Sequence, residues 1–307
     1  MQRYIVRRLV QSLVVLFGFT VFMFAITFVL PGDPIRGLYG FTPPPPDEYQ
    51  HLVQHYGLDQ PFWVQYARYV SQLFTFDFGE SYRAGRSVNT MLFNAAPHSL
   101  RLLGIAFLGQ IALGVGVTAW ALRRKGSILD TAVQLSTLLL VSIPVFVLAD
   151  VALSLFTKQL HFFPPGGVSG WQSYVLPGAV LAISLAAVMA RVARSQLADV
   201  AGAPYIATAR AMGLSEGRIA MTHQLRPSLG PILTLLAISM SQLVTGLLLV
   251  ETVFGIPGLG GTVYTAIRNR DRPVILGALF LVTIAVLIAN LAADVAMKLA
   301  DPRITLE

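Results

Sequence analysis

The chain has 307 residues, of which 55% are hydrophobic and only 12% charged, against about 25% charged in an ordinary soluble domain. That excludes a free-standing soluble fold, because burial is never complete and the surface needs far more polar residues. The net charge of +7 sits beside apolar runs, which favours membrane topology over nucleic-acid binding, and the lack of cysteine excludes disulfides, Cys-zinc sites and thiol catalysis.

A hydrocarbon core of about 30 Å takes roughly 20 helical residues, and six segments qualify, near residues 9–30, 98–122, 131–156, 174–193, 229–250 and 274–297. The expected fold is an all-α, polytopic membrane protein with six transmembrane helices. The first span, in the segment 1–30, follows Arg3, Arg7 and Arg8 as a signal peptide would. Its apolar run is too long, and Leu30-Pro31-Gly32-Asp33 offers no small-x-small cleavage site, so it reads as a retained anchor.

Residues 31–97 are too long for a connector and are expected to form a small extracytoplasmic subdomain. Pro43 to Pro46 must run extended, while residues 47–56 and 61–74 carry aromatics and leucines at helical spacing. His51 and His55 stand four apart with Glu48 a turn earlier, the spacing of a helical metal site. Their segment, HLVQH, lacks the glutamate of a metalloprotease motif, so a polar helix face is preferred and no metal is expected.

Residues 98–307 hold the other five spans and a cytoplasmic loop at 194–228. Ionisable groups inside spans are functional candidates because charge in lipid is costly. Arg101 begins the second span and Asp150 lies near the end of the third, so the two are read as an outer-leaflet ion pair, with a transport role as the alternative. Gly167-Val168-Ser169-Gly170 matches the GxSG pattern of rhomboid proteases, but the five histidines, His51, His55, His98, His161 and His223, fall in loops or at helix ends. A Gly-rich turn explains the match. Ala179, Ala182, Ala186 and Ala190 make a small-residue stripe, read as packing rather than pore lining. Asn290, Asp294 and Lys298 form one polar face of the last span, read as an interfacial anchor or as a contact with a partner chain.

Basic residues set the orientation. Arg3, Arg7 and Arg8, then Arg123, Arg124 and Lys125, then Arg191, Arg194, Arg210, Arg218 and Arg226 mark cytoplasmic ends, which places both termini inside. The lysines Lys125, Lys158 and Lys298 follow Arg124, Thr157 and Met297. With no Gly-Lys pair there is no phosphate-cradling loop, so the chain is not expected to be an enzyme or to hold a cofactor, and any ATP chemistry belongs to another chain.

The loop between the fourth and fifth spans holds two helix signals. Pro204 suits a first helical turn, Tyr205 to Met212 continue it, and Gly213 can adopt the left-handed stop. Ser215 can cap a second helix ending before Pro227. Tyr205, Ile206, Met212 and Leu214 would be exposed unless a partner or the chain's own helix ends covered them. Such patches mark contacts, with a helix lying on the membrane surface as the alternative. Residues 251–261, rich in glycine and holding Pro257, suit a re-entrant turn or a plain structural one.

Several motifs in one order resemble the dipeptide and oligopeptide permease family of ATP-driven importers, B-type member. They are Pro31-Gly32-Asp33-Pro34, Asp77-Phe78-Gly79-Glu80-Ser81, YIATARAMGLS from Tyr205, Glu251-Thr252-Val253-Phe254-Gly255-Ile256-Pro257-Gly258-Leu259-Gly260, the segment 268–273, and Asp301-Pro302-Arg303-Ile304. The inner loop resembles the EAA motif, whose coupling helix fits a cleft on the ATPase. That assigns Pro204, Tyr205, Ala207, Thr208, Ala209, Arg210, Met212, Gly213 and Leu214 to ATPase coupling. Aligned on Gly213, the acidic first position is Ala207, which removes one ion pair and leaves docking to shape and Arg210.

The resemblance implies a type I importer permease in a bacterial cytoplasmic membrane. Its partners would be a second homologous permease, two cytoplasmic ATPase subunits, an extracytoplasmic binding protein and membrane lipids, without nucleic acid. Glu251, Phe254, Pro257, Gly258 and Gly260 would gate the mouth or meet the binding protein. Peptide is the expected substrate, with nickel, glutathione or another small solute as alternatives. An ATP-independent secondary transporter is the reading from another class, since it would need no ATPase.

Overall fold

A computed structural model of the chain describes residues 2–29, 33–39, 44–123 and 128–300. Pro31, Gly32, Arg124, Lys125 and the Asp301-Pro302-Arg303-Ile304 motif lie outside them. The described residues are almost wholly helical, with one isolated antiparallel bridge between Glu80 and Ser87. In order the helices are α1 (Gln2–Val29), α2 (Pro34–Tyr39), α3 (Pro46–Tyr56), α4 (Phe62–Thr75), α5 (Val88–Arg123), α6 (Ile128–Ser142) and α7 (Val145–Ala152). After a π-helical stretch, Leu153–Gln159, come α8 (Val175–Ala201), α9 (Pro204–Ala211), α10 (Glu216–Arg218), a second π stretch, Ile219–Leu225, α11 (Arg226–Phe254), α12 (Leu259–Asn269) and α13 (Arg272–Ala300).

Among the described residues, five helices are long and apolar enough to cross a membrane: Val6–Phe28, Val88–Val117, Trp171–Ala201, Thr234–Phe254 and Arg272–Val295. The third expected span is broken. Thr131–Ser142 and Val145–Gln159 meet at a bend of 104°, because Pro144 supplies no backbone N–H and forces the residue before it out of helical geometry. The second span also starts earlier than expected: α5 begins at Val88 and runs through Pro97.

Packing divides the chain into two compact units, Met1–Ser99 with Ile256–Leu287, and Leu100–Gly255 with Ile288–Glu307. In the first, α4 presents Phe62, Tyr66, Tyr69 and Leu73, a single helix face, to α1. Phe24 stacks on Tyr69 with ring centres 5.5 Å apart and meets Phe62 edge-on at 5.2 Å, arrangements that the ring quadrupoles favour. The expected outer-loop helices are present as α3 and α4. Each ends on a left-handed residue, Gly57 (φ 65°) and Phe76 (φ 51°). Phe76 is an unusual choice there, and Asn89 holds the turn by donating to the Phe76 carbonyl and accepting the Phe78 amide at 2.9 Å.

In the second unit α8 is the most enclosed candidate span, packed by α6, α7 and α11. Small residues let the helices approach closely. A Cβ on Gly178 would lie 2.5 Å from Ile105 Cγ2, one on Gly109 2.9 Å from Ala182 Cβ, and one on Gly246 3.0 Å from Leu181 Cδ2. Ala182, Ala186 and Ala190 of the stripe are buried. Gln110 Nε2 donates to Ser239 Oγ at 2.8 Å, tying α5 to α11 inside the apolar core.

Candidate functional site

The loop between α8 and α11 folds as a self-supporting unit. Ala203 is extended, Pro204 starts α9, and Met212 closes it. The Gly213 amide then donates to Arg210 O at 2.9 Å and the Leu214 amide to Ala209 O at 3.2 Å, with Gly213 at φ 78°. This pair of bonds is the Schellman stop, and it turns Leu214 back onto the helix. Ile206, Ala209 and Ile219 are buried together beneath Ala203 and Leu214. Burial on this scale is worth about 1.5–3 kcal/mol per large aliphatic side chain.

The chain thus covers part of its own apolar patch. Ile206 and Leu214 turn inward, while Tyr205 stays 45% and Met212 76% exposed, beside exposed Ala207 and Thr208. Ser215 precedes α10 as expected, although its hydroxyl makes no capping bond. Arg210 is exposed but not free: Nε donates to Glu216 Oε1 at 2.7 Å and Nη2 to Oε2 at 3.2 Å. This hydrogen-bonded guanidinium holds the Glu216 carboxyl below the usual carboxylate range.

The Gly-rich turn joins α11 to α12. Gly255 is left-handed (φ 64°), the Gly258 amide donates to Ile256 O at 2.8 Å, and Leu259 N–H donates to Ser99 Oγ at 2.8 Å. Glu251, Phe254, Gly258 and Gly260 are all buried, which leaves Pro257 as the exposed member of the five. Phe254 O accepts the Gly167 amide at 2.9 Å, so the GxSG segment serves as a turn packed on the end of α11. Ser169 Oγ lies 3.2 Å from Ser173 Oγ, not beside a histidine.

Arg101 and Asp150 do not form the expected ion pair. Both are exposed, and no contact joins them among the described residues. Only a straight hairpin of the two spans would bring them together, whereas the bend at Pro144 sends α7 onto α8 and α11. Asn290 is not left to the interface: Ser241 Oγ donates to its Oδ1 at 3.0 Å. The side chain of Lys298 lies outside those described.

One feature escaped the sequence reading. A groove of about 500 Å³ opens between the α6–α7 break, α8 and α11. Its wall is apolar except for Ser184, Ser241, Gln242 and Thr245. Three of those polar residues fall within one turn of the apolar helix α11, the spacing that could have revealed them.

The sequence and the fold find the same class of protein among known ones. Residues 110–306 match the family described as binding-protein-dependent transport system inner membrane component, and residues 1–102 its N-terminal companion. The chain belongs to this family of membrane permeases. Two relatives are the dipeptide transport system permease proteins DppB of Lactococcus lactis subsp. cremoris, 34% identical over 312 residues, and of Bacillus subtilis, 35% over 311. Both alignments cover 100% of this chain and 99% or more of the relative. The oligopeptide transport system permease protein OppB of Haemophilus influenzae is 33% identical over 307 residues, 99% of each chain. Among solved structures, the inward-facing MetNI methionine ABC transporter aligns with a TM-score of 0.58 and 19% identity, over 68% of this chain and 96% of that one. The fold is that of an ABC importer permease.

Proposed function

We propose that this chain is one of two permease subunits of an ATP-driven peptide importer in a bacterial cytoplasmic membrane, with both termini inside. Two ATPase subunits dock below, and a binding protein delivers substrate from outside. The observation that carries this reading is α9, a capped helix between two spans whose buried side is satisfied by the chain itself and whose outer side leaves Tyr205, Ala207, Thr208 and Met212 exposed. That surface fits a partner cleft by shape, without an acidic residue at position 207. ATP can favour one of two conformations only through its differential affinity for them; α9 passes that bias to the spans, and substrate crosses by alternating access. Peptide as cargo is supported by the names of the full-length relatives. The turn at Pro257 is the element offered to the binding protein or the mouth.

The test separates contact from folding. Ala209 is buried and Gly213 is left-handed, so replacing them disturbs the loop itself. Met212→Glu and Ala207→Arg instead place charge on the exposed face. The expected result is loss of ATPase co-purification and an uptake rate in reconstituted vesicles at least about tenfold lower, the equivalent of 1.4 kcal/mol of lost contact. Uptake that proceeds without ATP, or that both variants leave intact, overturns the reading in favour of a self-sufficient transporter.

A further inference from the structure

A second cavity, of about 180 Å³, lies within the first unit. It has room for about six waters at ~30 Å³ each. Phe24, Phe28 and Phe78 form its apolar side; Arg68, Arg272 and Tyr82 line its polar side. Neither guanidinium forms an ion pair among the described residues. The Arg272 guanidinium lies over the Phe28 ring at 5.9 Å.

Two carboxylates near the cavity, Asp271 and Asp33, are already engaged. Asp271 accepts from Ser81 Oγ at 2.5 Å and from the Tyr82 amide at 3.1 Å, and Asp33 accepts from Tyr49 Oη at 2.5 Å. Glu80 and His55 are the other titratable side chains at the lining besides the tyrosines. Burial pushes the Tyr82 phenol up to about 12, which keeps it a neutral hydrogen-bond donor.

Phe28 is the last residue of the span Val6–Phe28 and Arg272 the first of Arg272–Val295. The cavity therefore sits at the boundary where spans end, open to water at the exposed residues Arg68 and Glu80. Two arginines, a neutral phenol and an aromatic wall at that depth suit a phosphate with apolar groups attached. Arginine's planar fork is matched to phosphate oxygens.

We propose that this cavity is a phosphate-binding site, filled by the headgroup of an anionic phospholipid. Arg272 and Arg68 clasp the phosphate oxygens, Tyr82 donates a neutral bond, and Phe24 and Phe28 lie along the glycerol and first methylenes. The assignment is independent of what the permease carries.

Native mass spectrometry of the full-length chain, titrated with phosphatidylglycerol, phosphatidylcholine or inorganic phosphate, tests it. Phosphatidylglycerol is expected to bind preferentially, and Arg272→Gln and Arg68→Gln each to weaken it about tenfold, the loss of one charge-assisted contact. Glu80→Gln removes a repelling charge and should tighten binding, a gain that a misfolded variant cannot mimic. Arg268→Gln, whose guanidinium lies over Tyr264 outside the cavity, should change nothing. Inorganic phosphate binding alone, with the same ranking of variants, keeps the phosphate site and removes the lipid as its source. Equal binding by all variants, or weaker binding by Glu80→Gln, overturns the site.

Discussion

Ser81 donates its hydroxyl proton to Asp271 across 190 positions of sequence, with Oγ 2.5 Å from Oδ2, and the neighbouring Tyr82 amide donates to Oδ1 at 3.1 Å. Both residues are buried. Asp271 also accepts the Ile275 amide through its own carbonyl at 3.0 Å, so one residue starts α13 and anchors the outer loop. Two separate motifs, DFGES at 77–81 and RNRDRP at 268–273, thus serve a single junction. Charge-assisted bonds of this kind are roughly twice as strong as neutral ones.

Asp271→Ala should loosen that junction. It leaves the Ser81 hydroxyl and the Tyr82 amide without their acceptor, at about 1–3 kcal/mol for a buried group. Amide exchange at residues 79–88 should accelerate about tenfold or more, since 1.4 kcal/mol is a factor of ten, while α9 keeps its protection. Ser81→Ala should give a smaller effect in the same residues. Unchanged exchange in both variants would show that the outer loop is held elsewhere.

Gly213 is the stop of α9, and its left-handed backbone carries a cost of roughly 1–2 kcal/mol for a residue with a Cβ. Nothing lies within 4 Å of the position a Cβ would take, so space is not the constraint. Gly213→Ala should therefore speed exchange across residues 204–214 by about tenfold, and Gly213→Asn should do so less, because asparagine tolerates this conformation. Equal effects would place the cost outside the backbone.

The loop was legible because its signals are local: proline at a first turn, glycine at a stop, apolar residues a turn apart. The same logic found α3 and α4. What failed depended on where helices go after they form. Pro144 lies inside an apolar run long enough to look like one span, and hydropathy says nothing about a 104° bend. A pair between Arg101 and Asp150 requires straight helices, and that bend removes the condition. The Ser81–Asp271 junction was invisible for the opposite reason, since both motifs were seen and no local pattern joins residues so far apart.

Acid should act on the loop through Glu216. Its carboxyl is held low by Arg210, so the bond contributes stability above the unfolded carboxylate value of about 4.3 and loses it as pH falls through the lower folded value. Exchange in residues 204–218 should be level around neutral pH and quicken only in that acid window, beyond the intrinsic pH dependence of exchange. Glu216→Gln should abolish the extra acid step and leave the loop as loose at neutral pH as the parent is in acid. Salt should shrink the difference, because both side chains are exposed. An acid step that survives Glu216→Gln would assign the titration to another group.

Close packing of α8 makes the sharpest steric prediction. Gly178 is buried, and an added Cβ would meet Ile105 at 2.5 Å from Cγ2 and 3.2 Å from Cβ. Ile105 is β-branched and confined to one preferred rotamer on a helix, so it cannot swing aside as a methionine tip does. Gly178→Ala should cost about 1–3 kcal/mol by overpacking and lower the melting temperature of the chain in detergent. Ile105→Ala removes the clashing Cγ2 atom and leaves only the 3.2 Å approach. The double variant should then be more stable than the sum of the single changes predicts, a coupling measurable as a double-mutant cycle. Strict additivity would mean that α5 and α8 part on substitution, and that glycine at 178 does not set their spacing.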